Sequence, residues 1–411
     1  MTSPEPTPAG GSGDDPGEGG ADAADPEGPE PDPRLSRRVR ETPPSGIRRF
    51  FELAEEADEV ISLGVGEPDY AAPWAARSAA VDALERGRTS YTANRGKREL
   101  RAAIAGHVER YGQSYDPDEE VLVTTGASEA GDLAFRAVVD PGDTVAVHQP
   151  TYVSYVPAAR FAGASVLDVP TRAENEFRLT PADLRRAGAE AADVLVLCYP
   201  NNPTGATMDD DDLAAVAAFC REHDLLVVAD EIYAALTYGG EHASMATQEG
   251  MRDRTVVLNG FSKAYAMTGL RLGYALGPPW LVSGMNRVHQ YTMLSAPTTA
   301  QHAALEALRS CETEVAEMRR SYDRRRRFVL SRFREMGVDC FEATGAFYAF
   351  PEVGGDDEAF AEALLAEQNV AAVPGRVFGA GGEGHLRVSY ATGMDELKAA
   401  MDRFEAFLDG R

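Results

Sequence analysis

TVVLNGFSKAYAMTGLRLGY, residues 255–274, is the stretch on which the reading of this chain turns. Residues 255–258 are apolar or β-branched, Asn259 and Gly260 follow, and the run closes on Ser262 and Lys263. A run of strand length ended by Gly predicts a short buried strand that delivers one amine to the rim of a sheet. Lys263 is one of only three lysines in 411 residues, with Lys97 and Lys398, so it is not one of a crowd on a polar helix face. Arg271 follows eight residues later. A lysine placed in this way is the kind that forms Schiff bases with carbonyl cofactors. A well-packed strand-to-helix turn with an incidental lysine also fits the stretch taken alone.

Outward from that stretch the same pattern repeats. Apolar runs at 121–125, 144–148, 194–198, 225–229 and 255–258 are separated by Ala- and Leu-rich helical segments such as 210–223. Continuous apolar strands alternating with helices predict an α/β fold, with a mostly parallel sheet covered by helices on both faces. Ligands then gather beyond the carboxyl ends of the strands. After about residue 300 the pattern changes to an Arg- and Glu-rich helical region, three short strands in FYAFPEV, VAAVPG and HLRVSY, and a closing helix from Met394. This reads as a smaller α+β domain. The expected division is a disordered acidic tail (1–34), an N-terminal arm forming part of the small domain (35–71), a large domain (72–299) and a small C-terminal domain (300–411), with a cleft between the two domains.

Composition narrows the class further. A chain of this length that is 44% hydrophobic can bury a large core and has room for about two domains. It holds no apolar run long enough for a membrane span. Its first residues are acids, Gly and Pro instead of a basic stretch followed by an apolar one, so a cytoplasmic location is expected. Residues 1–34 hold almost no large apolar side chain and cannot offset their ordering entropy. The cysteines at 198, 220, 311 and 340 show no C-x-x-C spacing and read as packing thiols, with no metal site expected. The net charge of −26, from 66 acidic and 40 basic residues, disfavours binding to phosphate backbones, so nucleic acid is not an expected partner. Self-repulsion of that size is screened within about 3 Å at 1 M salt, so an acidic, Lys-poor surface points to a salt-rich, halophilic cytoplasm.

Several further segments carry candidate chemistry. TTGASEA (124–130) follows a strand and opens a helix, so Gly126, Ala127 and Ser128 place backbone N–H groups and a hydroxyl at a positive helix end. A phosphate cup and an ordinary N-cap by Ser128 both fit. Arg271 and Ser262 would add a charged fork and a hydroxyl to such a cup. LLVVADEIYAAL (225–236) puts Asp230 at the end of a buried strand, where an unpaired carboxylate is costly, while alternation turns Glu231 to the opposite face. CYPNNPTG (198–205) carries Asn202 in what is also a simple turn sequence. GHLRVSYA (384–391) alternates like a half-buried strand, and Arg387 within it needs a carboxylate, from a ligand or from the chain itself.

In this order the segments resemble the class I pyridoxal-phosphate (PLP) aminotransferases of the aspartate aminotransferase type, over roughly residues 45 to 405. The S-K-x-x-x-M-T-G-x-R-x-G-Y pattern from Ser262 to Tyr274 is the most specific part. The resemblance implies PLP as cofactor, joined to Lys263 as a lysine aldimine and held in the large domain. Gly126, Ala127, Ser128, Ser262 and Arg271 then meet its phosphate, Tyr152 in PTYVSY stacks on its ring, and Asp230 keeps its pyridine nitrogen protonated. Tyr233 and Asn202 hydrogen-bond the phenolic oxygen. Arg387 grips the substrate α-carboxylate, Gly66 in ISLGVGEPDY offers its backbone to the same group, and Ile47 covers the substrate as a lid. Tyr91 in SYTANRG reaches the phosphate of the other subunit, which implies a homodimer with shared sites. Many relatives have Ser three residues before the lysine, where this chain has Gly260, so one phosphate donor is missing or replaced.

The reaction so implied is transfer of an amino group between an L-amino acid and a 2-oxo acid, with Lys263, Asp230 and Tyr233 as catalytic residues. A carbon–sulfur β-lyase on the same scaffold and a non-catalytic PLP-binding regulator are the alternatives. Relatives specific for dicarboxylates often carry Arg four residues before the Ser of an S-x-P motif, and here that position is Tyr291. Arg48, Arg49 or Arg95 could take its place, or the pocket could favour aromatic or small apolar side chains, with broad specificity preferred.

Overall fold

In this computed structural model the described residues are 32–55 and 59–411, with backbone alone for 51–55. The tail expected to be disordered lies, up to residue 31, outside them. Among the described residues, those up to Glu41 and those from Thr42 to Arg411 belong to separate units, and the first shows one helical turn, Arg37–Arg40. All strands belong to the second.

They are β1 (Ile61–Ser62), β2 (Val121–Thr124), β3 (Thr144–Gln149), β4 (Ser165–Pro170), β5 (Val194–Cys198), β6 (Leu226–Asp230), β7 (Thr255–Gly260), β8 (Gly273–Leu276), β9 (Tyr348–Ala349), β10 (Val370–Ala371), β11 (Val373–Pro374) and β12 (Leu386–Ser389). Seven of them make one sheet in the order β2-β8-β7-β6-β5-β3-β4. Strands β4, β3, β5, β6 and β7 run parallel, and β8 is antiparallel to both β7 and β2. The fold is therefore α/β with a mostly parallel sheet. Strands β4 and β8 have no counterpart among the apolar runs read from the sequence. SVLDVP is an edge strand with only Val169 buried, and GYAL is four residues long, so neither makes the continuous apolar signal of a central strand.

Both faces of the sheet are covered, and strand alternation shows it residue by residue. On β5, Val194, Val196 and Cys198 pack with the helices Ala127–Val138, Tyr155–Ala162 and Pro279–Thr292. Leu195 and Leu197 point the other way, into a cluster with the helices Pro181–Ala187 and Asp210–Glu222. At the β2 end the helices Arg98–Val108 and Thr298–Ser310 close a third cluster around Val121, Val123 and Tyr274.

The remaining strands are short. Strand β12 pairs antiparallel with β11 and β9, and β1 pairs parallel with β10. The helices Glu312–Glu335, Asp357–Gln368 and Met394–Asp409 pack on them around Phe333, Phe347 and Phe404. In the large sheet, chain order reverses between β3 and β5, so a crevice opens beyond their carboxyl ends.

Candidate active site

A cavity of about 490 Å³ occupies that crevice. The ends of β5, β6 and β7 feed it with Cys198, Asp230 and Lys263, and β12 contributes Arg387. Asp230 is the last residue of β6 and 7% exposed. Its Oδ1 accepts the Ile232 N–H at 3.0 Å and its Oδ2 accepts the Tyr155 hydroxyl at 2.6 Å. Burial pushes its carboxyl up to about 6, against the pull of those two donors. Glu231 does not line the cavity. It accepts from Gln113 Nε2 at 2.8 Å and Ser244 Oγ at 2.6 Å, and His242 Nε2 lies 3.0 Å from it.

Lys263 Nζ donates to the Gly66 carbonyl at 2.5 Å, which ties the rim of β7 to the segment after β1. Burial lowers its amine to about 8, with Arg387 and Arg271 adding repulsion and Glu67 and Asp230 opposing. An amine so depressed is partly unprotonated near neutral pH, the state a nucleophile or base requires.

One end of the cavity is built from backbone. The helix Ala127–Val138 begins at Gly126, whose φ of 83° suits glycine. A Cβ there would come within 2.6 Å of Arg271 Nη2, so Gly126 leaves room for the guanidinium to lie across the helix start. Gly273 on β8 does the same for the helix itself. A Cβ at 273 would stand 2.4 Å from the Ala127 nitrogen, against backbone that has nowhere to go. Ala127, Ser128, Ser262 and Arg271 all line this end, and a helix start carries N–H groups that have no intrahelical acceptor. Gly260 sits against the β8 backbone, where a Cβ would lie 3.0 Å from the Leu272 carbonyl and the Gly273 Cα. A serine there would be crowded.

At the other end Arg387 is 2% exposed. Its Nη1 donates to Asn202 Oδ1 at 2.9 Å, its Nη2 to the Gly64 carbonyl at 2.5 Å, and its buried Nε finds no acceptor among the described residues. Tyr348 and Phe378 flank the guanidinium, their ring centres 4.7 and 4.8 Å from Cζ. The guanidinium is thus buried beside two rings, and no carboxylate among the described residues pairs with it. The Tyr348 hydroxyl is 2.9 Å from that of Tyr233, and it crowds position 66, where a Cβ would come within 2.5 Å. Tyr152, Gly66, Asn202, Tyr233 and Ile47 complete the lining.

Within one chain, then, the fold brings into the cavity lining every residue given a cofactor or substrate role from the sequence except Gly126, which packs against Arg271 at the helix start, and Tyr91. That side chain is 80% exposed, outside the cavity. Tyr291 is 87% exposed and also outside it. Of the three arginines weighed for side-chain recognition, Arg49 pairs with Glu358 and Glu362, and Arg95 donates to the carbonyls of Asp118 and Glu119. Arg48 alone lines the cavity. Sequence reading missed Tyr348, Phe378 and Tyr155. Tyr348 lies in an apolar run, GAFYAF, and Phe378 in the Gly-rich segment GRVFGAGG, and neither segment signals a ring beside a charge. Tyr155 had a local signal, since it stands three residues after Tyr152 in PTYVSY.

Known proteins resemble this chain over most of its length. The family model "Aminotransferase class I and II" matches residues 58–404. The chain is 41% identical to an aspartate aminotransferase of Pyrococcus abyssi and 40% to aromatic-amino-acid aminotransferase 2 of Thermococcus litoralis, in each case over 91% of this chain and 98% of the relative. The structure of a Thermus thermophilus aspartate aminotransferase with maleate superposes with a TM-score of 0.85 at 39% identity, covering 90% of this chain and 99% of that one. The chain belongs to the class I and II aminotransferase family, and it is a PLP enzyme that transfers an amino group between an amino acid and a 2-oxo acid.

Proposed function

We propose that the residues gathered in the cavity divide this transfer among themselves as follows. The observation that carries the reading is the pairing, within one cavity, of a depressed amine and a buried, incompletely satisfied acid with a buried guanidinium that no carboxylate among the described residues meets. These donors and acceptors fit PLP and an amino acid. The helix start at Gly126–Ser128, with Ser262 and Arg271, suits a phosphate. Asp230 suits a protonated pyridine nitrogen, and Tyr152 a ring face. Asn202 gives its Oδ1 to Arg387, and its amide nitrogen makes no bond among the described residues, so it can meet a phenolic oxygen together with Tyr233. When bound, PLP supplies an electron-accepting ring that acidifies the substrate Cα–H.

The chain's own groups do the rest. Arg387 fixes the substrate α-carboxylate through a charged fork, aided by the Gly66 backbone, and so orients the Cα–H toward Lys263. Lys263 Nζ takes and returns that proton, for which an amine titrating at about 8 is well matched. Ile47 and the helix Gly46–Glu55 exclude water from above. With Gly260 packed on β8, Arg271 and the helix start hold the phosphate without a serine at that position. Borohydride reduction followed by digestion and mass spectrometry should place the cofactor on the peptide containing Lys263, and Lys263→Ala should abolish amino-group transfer. Retention of reducible cofactor or of transfer in that variant contradicts the assignment.

For the substrate side chain the reading is broad. Arg48 at the mouth favours an acidic group, while Tyr152 and Tyr348 offer apolar faces. The smaller domain (42–71 with 300–411) and the larger one (72–299) enclose the cleft in this reading. A homodimer follows from Tyr91: Asn94 bonds the Leu294 carbonyl and Thr298 that of Ser90, so exposed Tyr91 lies near exposed Met293 and Leu294, which follow Tyr291 in the last turn of the helix Pro279–Thr292. An exposed apolar patch of this kind suits a second copy. Mixing Lys263→Ala with Tyr91→Ala subunits should restore transfer in the mixed dimer, and no recovery rules out shared sites. The surplus of acid suits a salt-rich cytoplasm, so the melting temperature should rise from low to molar salt; a fall would refute the habitat. Among the described residues no helix is long and apolar enough to cross a membrane.

A further inference from the structure

Asp230 is met from four sides. Tyr155 approaches it from the helix Tyr155–Ala162, Cys198 from the end of β5, Lys263 from beyond β7, and Glu231 follows it in the chain. Burial raises the Cys198 thiol to about 12, so it stays neutral, and Lys263 acts on the carboxylate only through space. Among side chains of the described residues, Tyr155 is the only one that hydrogen-bonds Asp230. Its ring is 5% exposed and stands edge-on to Tyr152, with centres 5.6 Å apart and planes at 81°. One turn of chain therefore sets one ring against the cavity and the next against the carboxylate behind it.

We propose that Tyr155 is a positioning residue, whose hydroxyl holds Asp230 in the ionised form and in the orientation that keeps the cofactor's pyridine nitrogen protonated. The argument is one of coordination. A buried carboxylate with only one backbone donor is poorly solvated and tends to take up a proton, and a protonated Asp230 has lost its charge for the ring nitrogen. The Tyr155 bond and the Ile232 N–H saturate one side of the group and leave the rest facing the cavity. Deleting the hydroxyl leaves the fold its ring and removes the second donor, so the proton is taken up at higher pH. The direction follows from linkage: cofactor affinity that depends on the anion is lost as pH falls through the carboxyl's pKa, and that loss starts at higher pH when the pKa is raised.

The inference rests on the assignment of Asp230 to the cofactor nitrogen, and the test separates the two. Cofactor binding to the apoprotein is measured by quenching of tryptophan fluorescence across pH for the natural protein, Tyr155→Phe, Asp230→Asn and the double variant. Tyr155→Phe should weaken binding about tenfold or more on the acid side, in line with a hydrogen bond to a charged group. The gap should narrow as pH rises, and it should vanish in the Asp230→Asn background. A pH-independent gap that persists with Asn at 230 marks Tyr155 as packing only and overturns the proposal. If Asp230→Asn alone leaves binding and its pH response unchanged, the Asp230 assignment fails and takes the proposal with it. Should Tyr155→Phe not fold, 3-fluorotyrosine at position 155 keeps the ring and strengthens the donor, so the acid limb should move to lower pH. An unmoved limb overturns the proposal.

Discussion

Two sets of buried charges in this molecule use the same chemistry and differ in how far each is satisfied. Arg325, in the helix Glu312–Glu335, meets Asp69 with both Nη atoms, at 2.8 and 2.9 Å, and also reaches the Tyr70 hydroxyl. Arg387, more deeply buried, has an amide oxygen and a carbonyl but, among the described residues, no carboxylate. The acids repeat the contrast. Glu231 is enclosed by Gln113, Ser244 and His242, whereas Asp230 takes one hydroxyl and one N–H and faces the cavity. A fold can bury a charge stably by completing its shell. Where it leaves the shell open in a concave site, the missing partner is the ligand.

The sharpest way to break this contrast is to neutralise each arginine. Arg387→Gln should lower kcat/KM by roughly 30- to several-thousandfold, equivalent to about 2–5 kcal/mol for truncating a buried charge partner, with little change in thermal stability. Steady-state kinetics with several amino acids check it, and a loss confined to acidic substrates would mean that Arg387 reads the side chain instead of the α-carboxylate. Arg325→Gln should do the reverse. Breaking its pair should cost about 3 kcal/mol of stability, the low end for a buried pair because Asp69 keeps 25% exposure, while turnover per folded molecule stays near normal. Denaturant melts decide between them, and an Arg325 variant that lost turnover at unchanged stability would erase the distinction.

How much of this could be read from the sequence follows from the same physics. The inner parallel strands were legible because a strand buried on both faces must be apolar at nearly every position, as β5 is, whereas the parallel edge strand β4 was not. Strand β8 was not, since its four residues carry a glycine whose purpose is to let the Ala127 backbone come close, a tertiary demand with no local pattern. Asp230, Lys263 and Arg387 stood out because their charge contradicts their apolar surroundings. Tyr348 and Phe378 did not, because only coordinates show an aromatic hydroxyl or ring face turned to a charge, and the spacing of Tyr155 from Tyr152 says nothing of Asp230. Gly260 looked like a lost donor in sequence and is, in space, a position with room for little besides hydrogen.

Asp230 and Glu231 are consecutive residues, and the strand's two-residue repeat is all that sends one to the cavity and the other away from it. The choice is recorded in the ladder that sets Cys198 opposite Asp230 and Asp230 opposite Leu258. Deletion of a single codon within β6 would turn Glu231 to the cavity in place of Asp230, and insertion of one would turn Asp230 away from it. Such a frame of one residue leaves no partial function between right and wrong, so this strand should tolerate changes of side chain far more readily than changes of length.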